Sequence, residues 1–546
     1  MTQARGRRGA LLRPVRRWRD DAARRVGERR AGRDVALPAR ADRVGPAPRR
    51  EVVAVLASDR LAELLADEWT QRRADAGTLD VRAVDVVLVE WTGGAGTAHD
   101  LTPEAAAAAL AAAATAGVPS VLWDTVRDPA APLGPQGAGA VRVDDEVRCA
   151  AYVARGDDAR VLGATFSARR RGPGARRRRG AAHRHEGAVR PQDAVLSAAA
   201  AALHVPRPRP ADARTWDTTV LTGDVADGRV TPGLLRSVAA GSVVVTTSER
   251  VAEQVPGVVA VPDEEQARWT VTALARHAEL RDRTAHRARR AALAGWSSTV
   301  RAGQVLEAAG RGATPPASVS AVVSTMRPDR LRDVLDAVAR QTHPEVELVL
   351  VTHGFEVPAP ELAALSAERG LEHVRAVPAD SALTLGACMN LGVDAADGTY
   401  VAKMDDDNFY GRHYLADLVA AFGGTSAQVV GKWAHLTYLE STGTVLLRFP
   451  AVEQRYSRLV QGGTILVERE VARDLRFEDL PRRVDTTFLD KVRAHGGRVY
   501  ATDRFGFVSV RSARTAGHTW RVSDAELLAK PSRVLFYGEP WEYADV

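Results

Sequence analysis

The sequence predicts an α/β protein of two or three consecutive domains. Three observations carry this: the length, an alternation of strand-like and helix-like runs that breaks at two places, and three aspartates directly after one strand-like run. At 546 residues the chain is too long for one ordinary hydrophobic core. The alternation argues for parallel, doubly wound sheets.

Residues 1–50 carry 16 Arg and 5 acids and read as a basic arm. Leu11, Leu12, Val15, Trp18, Ala22 and Val26 fall near one helical face there. That pattern suits an anionic membrane surface, although Pro14 works against a helix. From 51 the alternation begins. "EVVAVLAS" and "VRAVDVVLVEW" read as strands, "PEAAAAALAAAATAG" as a helix closed by Gly117, and "VPSVLWD" as a third strand. Arg, Gly and Pro then interrupt the pattern at 169–192, as in a solvated loop. "GSVVVTTS" restarts it, and a helical region follows from about 264 to 309. The reading places an α/β domain of two lobes at 51–310, a Gly/Pro/Ser linker at 311–317 and a further α/β domain at 318–546.

The formal charge of +7 misleads if taken whole. The arm contributes +11 and residues 169–190 another +8, so the remainder is net acidic, −12. The basic character belongs to two appendages, and no nucleic acid is expected as a partner. Lysine occurs only at 403, 432, 491 and 530. Two distant cysteines, no secretory h-region and no membrane-length apolar run lead to the expectation of a cytoplasmic protein, peripheral to the inner membrane face if the arm binds there.

The C-terminal domain opens with the strand "VSAVVST", the helix "DRLRDVLDAVARQ" and the strand "VELVLVT". The segment "LTLGACMNLGVDAADG" leads into "YVAKMDDD", which sets Asp405, Asp406 and Asp407 at a strand end. Ligands of open α/β sheets gather at such ends. Adjacent carboxylates repel, and a hard divalent cation such as Mg²⁺ or Mn²⁺ relieves that cost. If the segment is extended, Asp405 and Asp407 face one way and Asp406 the other. Taken alone, the triplet reads equally well as a solvated acidic turn.

Three stretches in order, "VSAVVSTMRPDRL", "LGACMNLGVDAADGTYVAKMDDDNFYGRHYL" and "GGTILVEREVARDLRFEDLPRRVDTTFL", resemble the family 2 glycosyltransferases of GT-A fold over about 318–520. The resemblance implies inverting transfer of a sugar from a nucleotide-diphosphate donor to a glycan or cell-envelope polysaccharide precursor, with Mn²⁺ or Mg²⁺. It implies metal binding by Asp407, completed by His518, with Asp405 toward the donor ribose or a metal-bound water. Asp406 is counted with the donor-binding residues and is expected to support the loop. Asp485 matches the general base, a helix N-cap being the alternative for it. Thr325, Arg327 and Pro328 would border the nucleotide base, and Asn390 would approach the donor. Gly462, Gly463, Arg511 and Trp520 would support the site or the acceptor. The strand end that usually reads Asp-Asp-Gly-Ser is Val351-Thr352-His353-Gly354 here, and Val484 stands before the base where Glu is usual. These departures leave donor base and sugar open.

"VEWTGG", "AGVPSVLWDTVRDP" and "LLRSVAAGSVVVTTS" resemble the spore-maturation type of glycosyltransferase domain, with two GT-B-like lobes. Arg236 stands where a donor-gripping Glu is usual, and no acid or histidine is recognisable at a strand end before it. The first half is therefore expected to be a degenerate lobe pair that binds acceptor or partner. The alternatives are a bifunctional transferase and a nonenzymatic polyanion binder using the Arg-rich arms. A sugar nucleotidyltransferase would need a Gly-rich phosphate loop, which "STMRPDRL" lacks. Oligomeric state is not legible.

Overall fold

The computed structural model describes residues 49–74, 79–93, 101–126, 128, 130–166, 228–312, 316–480, 482–512 and 522–546, with the backbone of two strands at 183–186 and 218–221. The basic arm to residue 48, most of the Arg-rich loop, and His518 and Trp520 lie outside the described residues.

Among the described residues the strands form four sheets. The first contains β1 (Val52–Leu56), β2 (Thr70–Arg73), β3 (Val86–Trp91), β4 (Ser120–Asp124), β5 (Ala140–Val143) and β6 (Ala159–Val161), in the order β2-β1-β3-β4-β5-β6. Every pairing is parallel. β3 and β4 are buried along their full length, as their near-continuous apolar runs demand of a sheet covered on both faces. The Ala-rich helix spans Pro103–Ala116, capped by the Thr102 side chain and ended by Gly117 in the left-handed region (φ 67°).

The second sheet, β7 (His183–Glu186), β8 (Thr218–Leu221), β9 (Val243–Thr246) and β10 (Val259–Ala260), is also parallel. The helices Glu264–Arg276, Ala278–Trp296 and Ser298–Ala308 follow. The last of them returns to the first sheet, where Ala302, Val305 and Leu306 join the core of Val53, Val55, Val86 and Leu88.

After residue 316 comes an eight-stranded mixed sheet. It consists of β11 (Val319–Thr325), β12 (Val346–His353), β13 (Val374–Ala379), β14 (Tyr400–Met404), β16 (Val429–Gly431), β19 (Arg455–Tyr456), β20 (Leu466–Glu468) and β21 (Val499–Ala501). The order is β13-β12-β11-β14-β20-β16-β21-β19, parallel from β13 to β14 and antiparallel where β14 meets β20. Two apolar cores cover its faces. A five-stranded sheet adjoins it, ordered β15 (Phe409–Tyr410), β22 (Phe507–Arg511), β17 (His435–Leu439), β18 (Thr444–Arg448) and β23 (Ser532–Tyr537).

The two halves meet along the helix Ala278–Trp296 through paired charges. Arg290 binds the Asp417 carboxylate at 2.8 and 2.6 Å, and His286 approaches the same group at 3.1 Å. Glu279 accepts from Arg504 (2.8 Å), Arg533 (2.6 Å) and the Tyr543 hydroxyl (2.5 Å), and Asp282 pairs with Arg504 (3.1 Å). No helix among the described residues is long and apolar enough to cross a membrane.

Candidate active site

The strand β14 ends at Met404, and Asp405–Asp407 form the turn that follows. This corrects the extended alternation, because the carboxylates are sorted by their partners rather than by pleat. Asp406 accepts from the Thr325 hydroxyl (2.5 Å) and Arg327 Nε (3.0 Å), and Arg327 also reaches Asp407 (3.0 Å). Asp406 thus anchors the turn to the end of β11. Arg327, read from sequence as a neighbour of the nucleotide base, is the counter-ion of two of the three acids. Burial and Asp405 push the Asp407 carboxyl above its ordinary value, and Arg327 only partly opposes this.

Asp405 takes a different partner. Lys403, on β14 itself with 3% of its side chain exposed, places Nζ 2.5 Å from Asp405 and 3.6 Å from Asp485. Burial alone would lower the ammonium pKa, but the two carboxylates outweigh it and hold Lys403 above the usual lysine range. Asn408 donates to the other Asp405 oxygen (3.3 Å). The Asp405 N–H donates to the Tyr410 hydroxyl (2.7 Å), which donates in turn to the Gly463 carbonyl (2.9 Å). Sequence reading passed over Lys403, Asn408 and Tyr410. A lysine beside the triplet in a chain with four lysines was the available signal.

Asp485 lies in the first turn of the helix Val484–Ala494. The cap position falls on Arg483, in the left-handed region (φ 65°) and without a side-chain cap bond, so the N-cap alternative does not hold. Its Oδ1 is buried without a hydrogen bond, with Lys403 facing it at ion-pair distance. Burial raises the Asp485 pKa, Lys403 opposes this, and Asp405 adds to it. A carboxylate so placed is a competent proton acceptor. The nearby acids Glu478 and Asp479 are engaged elsewhere, with Lys491 (2.7 Å) and Thr384 (2.5 Å).

Gly462 and Gly463 form a short 3-10 turn ahead of β20. A Cβ on Gly462 would overlap the Asp485 carboxylate, and one on Gly463 would overlap that of Asp405. The turn is therefore glycine because two acids press on its backbone. Thr464 accepts the Lys432 N–H (2.9 Å), and the fully buried Lys432 ammonium pairs with Asp503 (3.0 Å). Each group has a clear origin in the fold.

The remaining sequence-predicted residues divide. Thr325 ends β11, and Pro328 opens the 3-10 turn Pro328–Arg330 that follows it. Asn390, expected to approach the donor, sits within the helix Leu385–Ala395 and clamps the Phe477 backbone, donating to its carbonyl and accepting its N–H, both at 2.9 Å. Arg511 ends β22 and reaches the Val522 carbonyl (3.4 Å), with Asp407 acting on its charge. Beside Thr325 on the neighbouring strand, Thr352 keeps a buried hydroxyl without a hydrogen-bond partner. His353 meets the Ser381 carbonyl (3.2 Å).

Among the described residues no three His, Cys, Asp or Glu side chains converge as a ready cation site. Asp405 and Asp407 nonetheless supply hard oxygen donors at one turn, and the raised Asp407 carboxyl records the lack of full compensation. Mg²⁺ and Mn²⁺ are commonly held by one or two carboxylates together with substrate phosphates, so the donor set fits.

Residues 320–468 match the family model "Glycosyl transferase family 2". No curated protein matches the chain. Solved structures similar to it include a mannosyltransferase from Pyrobaculum calidifontis in complex with GDP-Man and Mn²⁺. Its identity is 17%, covering 37% of this chain and 59% of that one, with a TM-score of 0.30. Another is TarS 1–349 from S. aureus in complex with UDP-GlcNAc, at 16% identity, covering 36% and 59%, with a TM-score of 0.28. The chain spans less than two thirds of either relative.

Proposed function

We propose, from the match of residues 320–468 to the glycosyl transferase family 2 model, that the chain transfers a sugar from a nucleotide-diphosphate donor to a hydroxyl of a glycan precursor, with inversion at the anomeric carbon. The observation that carries this reading is the convergence of the Asp405–Asp407 turn, Lys403, the Gly462–Thr464 turn and Asp485 at one sheet edge.

The acceptor oxygen attacks the anomeric carbon as the bond from that carbon to the diphosphate oxygen breaks. Asp485 takes the acceptor proton, and the electron pair of the broken bond leaves with the diphosphate. Asp405 and Asp407 would hold Mn²⁺ or Mg²⁺, which when bound supplies positive charge to the leaving diphosphate. Lys403 fixes Asp405 and the base relative to each other. Arg327 and Thr325 hold Asp406 and with it the turn.

The test is a screen of nucleotide sugars for release of nucleoside diphosphate, with and without Mn²⁺, followed by calorimetry of the productive donor on Asp407→Ala. Metal-dependent release, and loss of metal-dependent donor binding in the variant, are expected. Unchanged donor affinity in the variant would remove Asp407 from the metal assignment.

A further inference from the structure

Just beyond β21, three consecutive buried residues, Asp503, Arg504 and Phe505, are each held by one helix of the first half. His286 of the helix Ala278–Trp296 faces the Asp503 carboxylate through Nδ1 at 3.9 Å and packs its ring against Phe505, with centroids 5.0 Å apart. Glu279 and Asp282 of the same helix accept from Arg504 at 2.8 and 3.1 Å. Glu453, from the second half, holds Arg504 as well (3.0 Å). The other ring nitrogen of His286 is fixed by Asp417 (3.1 Å), so the ring cannot turn away without taking a partner from a buried carboxylate.

This contact reaches the candidate active site through one lysine. β16 lies between β20 and β21, so Lys432, the residue after β16, stands between the 503–505 segment and the Gly462–Thr464 turn. Its fully buried ammonium donates to the Asp503 carboxylate (3.0 Å) and to the Asp503 carbonyl (3.3 Å). Burial opposes the Asp503 charge, but Lys432 and His286 outweigh it and hold the carboxyl below its ordinary range. Both backbone groups of Lys432 are spent on the turn. Its N–H donates to the Thr464 hydroxyl oxygen (2.9 Å), and its carbonyl accepts from the Gln461 N–H (2.8 Å).

The turn lies against the two site acids, since a Cβ on Gly462 would meet the Asp485 carboxylate and one on Gly463 that of Asp405. Lys432 cannot leave Asp503 without burying an unpaired charge, so its backbone, and the turn bonded to it, follows the Asp503 carboxylate. Asp503 connects the two sides: Oδ1 holds Lys432 and Oδ2 faces the helix. The two acids differ in their other supports. Asp405 also has Lys403 (2.5 Å) and Asn408 (3.3 Å), whereas Asp485 has Lys403 at 3.6 Å and a buried Oδ1 without a hydrogen bond. A shift of the turn therefore displaces Asp485 more than Asp405.

We propose that the helix Ala278–Trp296 is a positioning element of the transferase site, by which the first half sets Asp485 through His286, Asp503, Lys432 and the Gly462–Thr464 turn. Asp503 and Lys432 are positioning residues that act on the acids through the turn. The first half then contributes to turnover whether or not it binds a ligand of its own. That contribution rests on the transferase reading; the link between helix and turn does not.

The experiment uses the full chain with His286→Ala and Asp503→Asn, and Arg369→Ala as control. Arg369 pairs with Asp336 (2.5 Å) shortly before β13 begins, at the sheet edge opposite the site. Hydrogen–deuterium exchange read by mass spectrometry needs no donor. In His286→Ala the amides of 461–464 are expected to exchange about threefold faster or more, whereas Arg369→Ala leaves them unchanged. With the productive nucleotide sugar and Mn²⁺, kcat is expected to fall about tenfold in His286→Ala and in Asp503→Asn, as a slightly displaced base requires. KM for the donor should stay within about twofold of wild type. The double variant is expected to match Asp503→Asn alone, because both changes act through one carboxylate. Thermal unfolding identifies a variant that does not fold at the assay temperature, and Asp282→Asn, which loosens Arg504 from the helix, then takes its place with the same expectations. Unchanged exchange at 461–464, a kcat equal to wild type, a rise in KM at constant kcat, or the same losses in Arg369→Ala would overturn the proposal. So would additive losses in the double variant. Faster exchange at the turn in a protein that releases nucleoside diphosphate from no nucleotide sugar would leave this link standing and remove the transferase reading.

Discussion

Replacing Arg290 by alanine tests whether the two halves are one electrostatic unit. The Asp417 side chain is 9% exposed and accepts two bonds from Arg290, at 2.8 and 2.6 Å, with His286 at 3.1 Å. Burial alone would raise its pKa, but His286 and Arg290 together hold it well below the ordinary carboxylate range. Removing one partner of a buried ion pair typically costs about 3–5 kcal/mol, because the other charge stays buried and unpaired. Arg290 is itself 18% exposed and His286 remains, so the lower end, about 3 kcal/mol, is expected. Urea unfolding at pH 7.5, followed by fluorescence, should show the midpoint falling by about 1 M or more, given the slopes usual for domains of this size. The cycle with Asp417→Asn is the sharper measurement. The double variant removes the orphaned charge and is expected to be more stable than Arg290→Ala alone. The sign with pH also follows. In the wild type the depressed Asp417 pKa contributes stability that is present at neutral pH and lost only as pH falls through the folded value. In Arg290→Ala that contribution is diminished, so the gap between variant and wild type narrows on acidification. A variant within about 0.5 kcal/mol of wild type, or a double variant whose cost is the sum of the two singles, would refute the reasoning.

At the active site, Asp485→Asn should retain donor and metal affinity while transfer falls about 10²-fold or more, as expected for loss of a general base; near-normal rates would place the base elsewhere. Because burial raises the Asp485 pKa, the acid limb of wild-type transfer should lie above the pH at which an ordinary aspartate titrates, and a limb at or below that pH would argue against Asp485 as the base. Gly463→Ala would press a methyl group into Asp405, so activity is expected to collapse with donor binding, whereas Gly423→Ala, which meets nothing within 4 Å, should be silent. His435 is buried, which lowers its pKa from 6.5 to about 4, its Nδ1 facing the Trp433 carbonyl (2.8 Å). The unfolded chain protonates this ring below about 6.5 and the folded chain does not until about 4, so up to about 3 kcal/mol of stability should be lost across that window. Urea titrations between these pH values should show a shallower decline for His435→Gln, and an equal decline would exclude His435 as the source.

What the sequence determined by itself was local. Strands such as Val319–Thr325 and Tyr400–Met404 are legible because a buried parallel strand reads as a short, mostly apolar run, and the helix Pro103–Ala116 because Thr102 and Gly117 mark its ends. The aspartate triplet at a strand end and the order of motifs around it were legible for the same reason, each being a short pattern of neighbours. Pairings across sequence were not. Nothing near Asp406 announces that Arg327, 79 positions away, is its counter-ion, or that Lys403 spans from Asp405 to Asp485. Asn390 had the right position in a motif, yet helix packing against Phe477 consumed both ends of its amide. The acids at strand ends of the first half, Glu90 and Asp144, were missed because, 54 residues apart, they meet only through parallel crossovers that return each strand end to the same sheet edge. The helix Ala278–Trp296, read from sequence as part of the 51–310 domain, carries counter-ions for the residues after 316. Periodicity records which face of an element is buried, and tertiary packing alone decides against what, because a charge taken out of water needs its partner supplied from wherever in the chain the fold brings one.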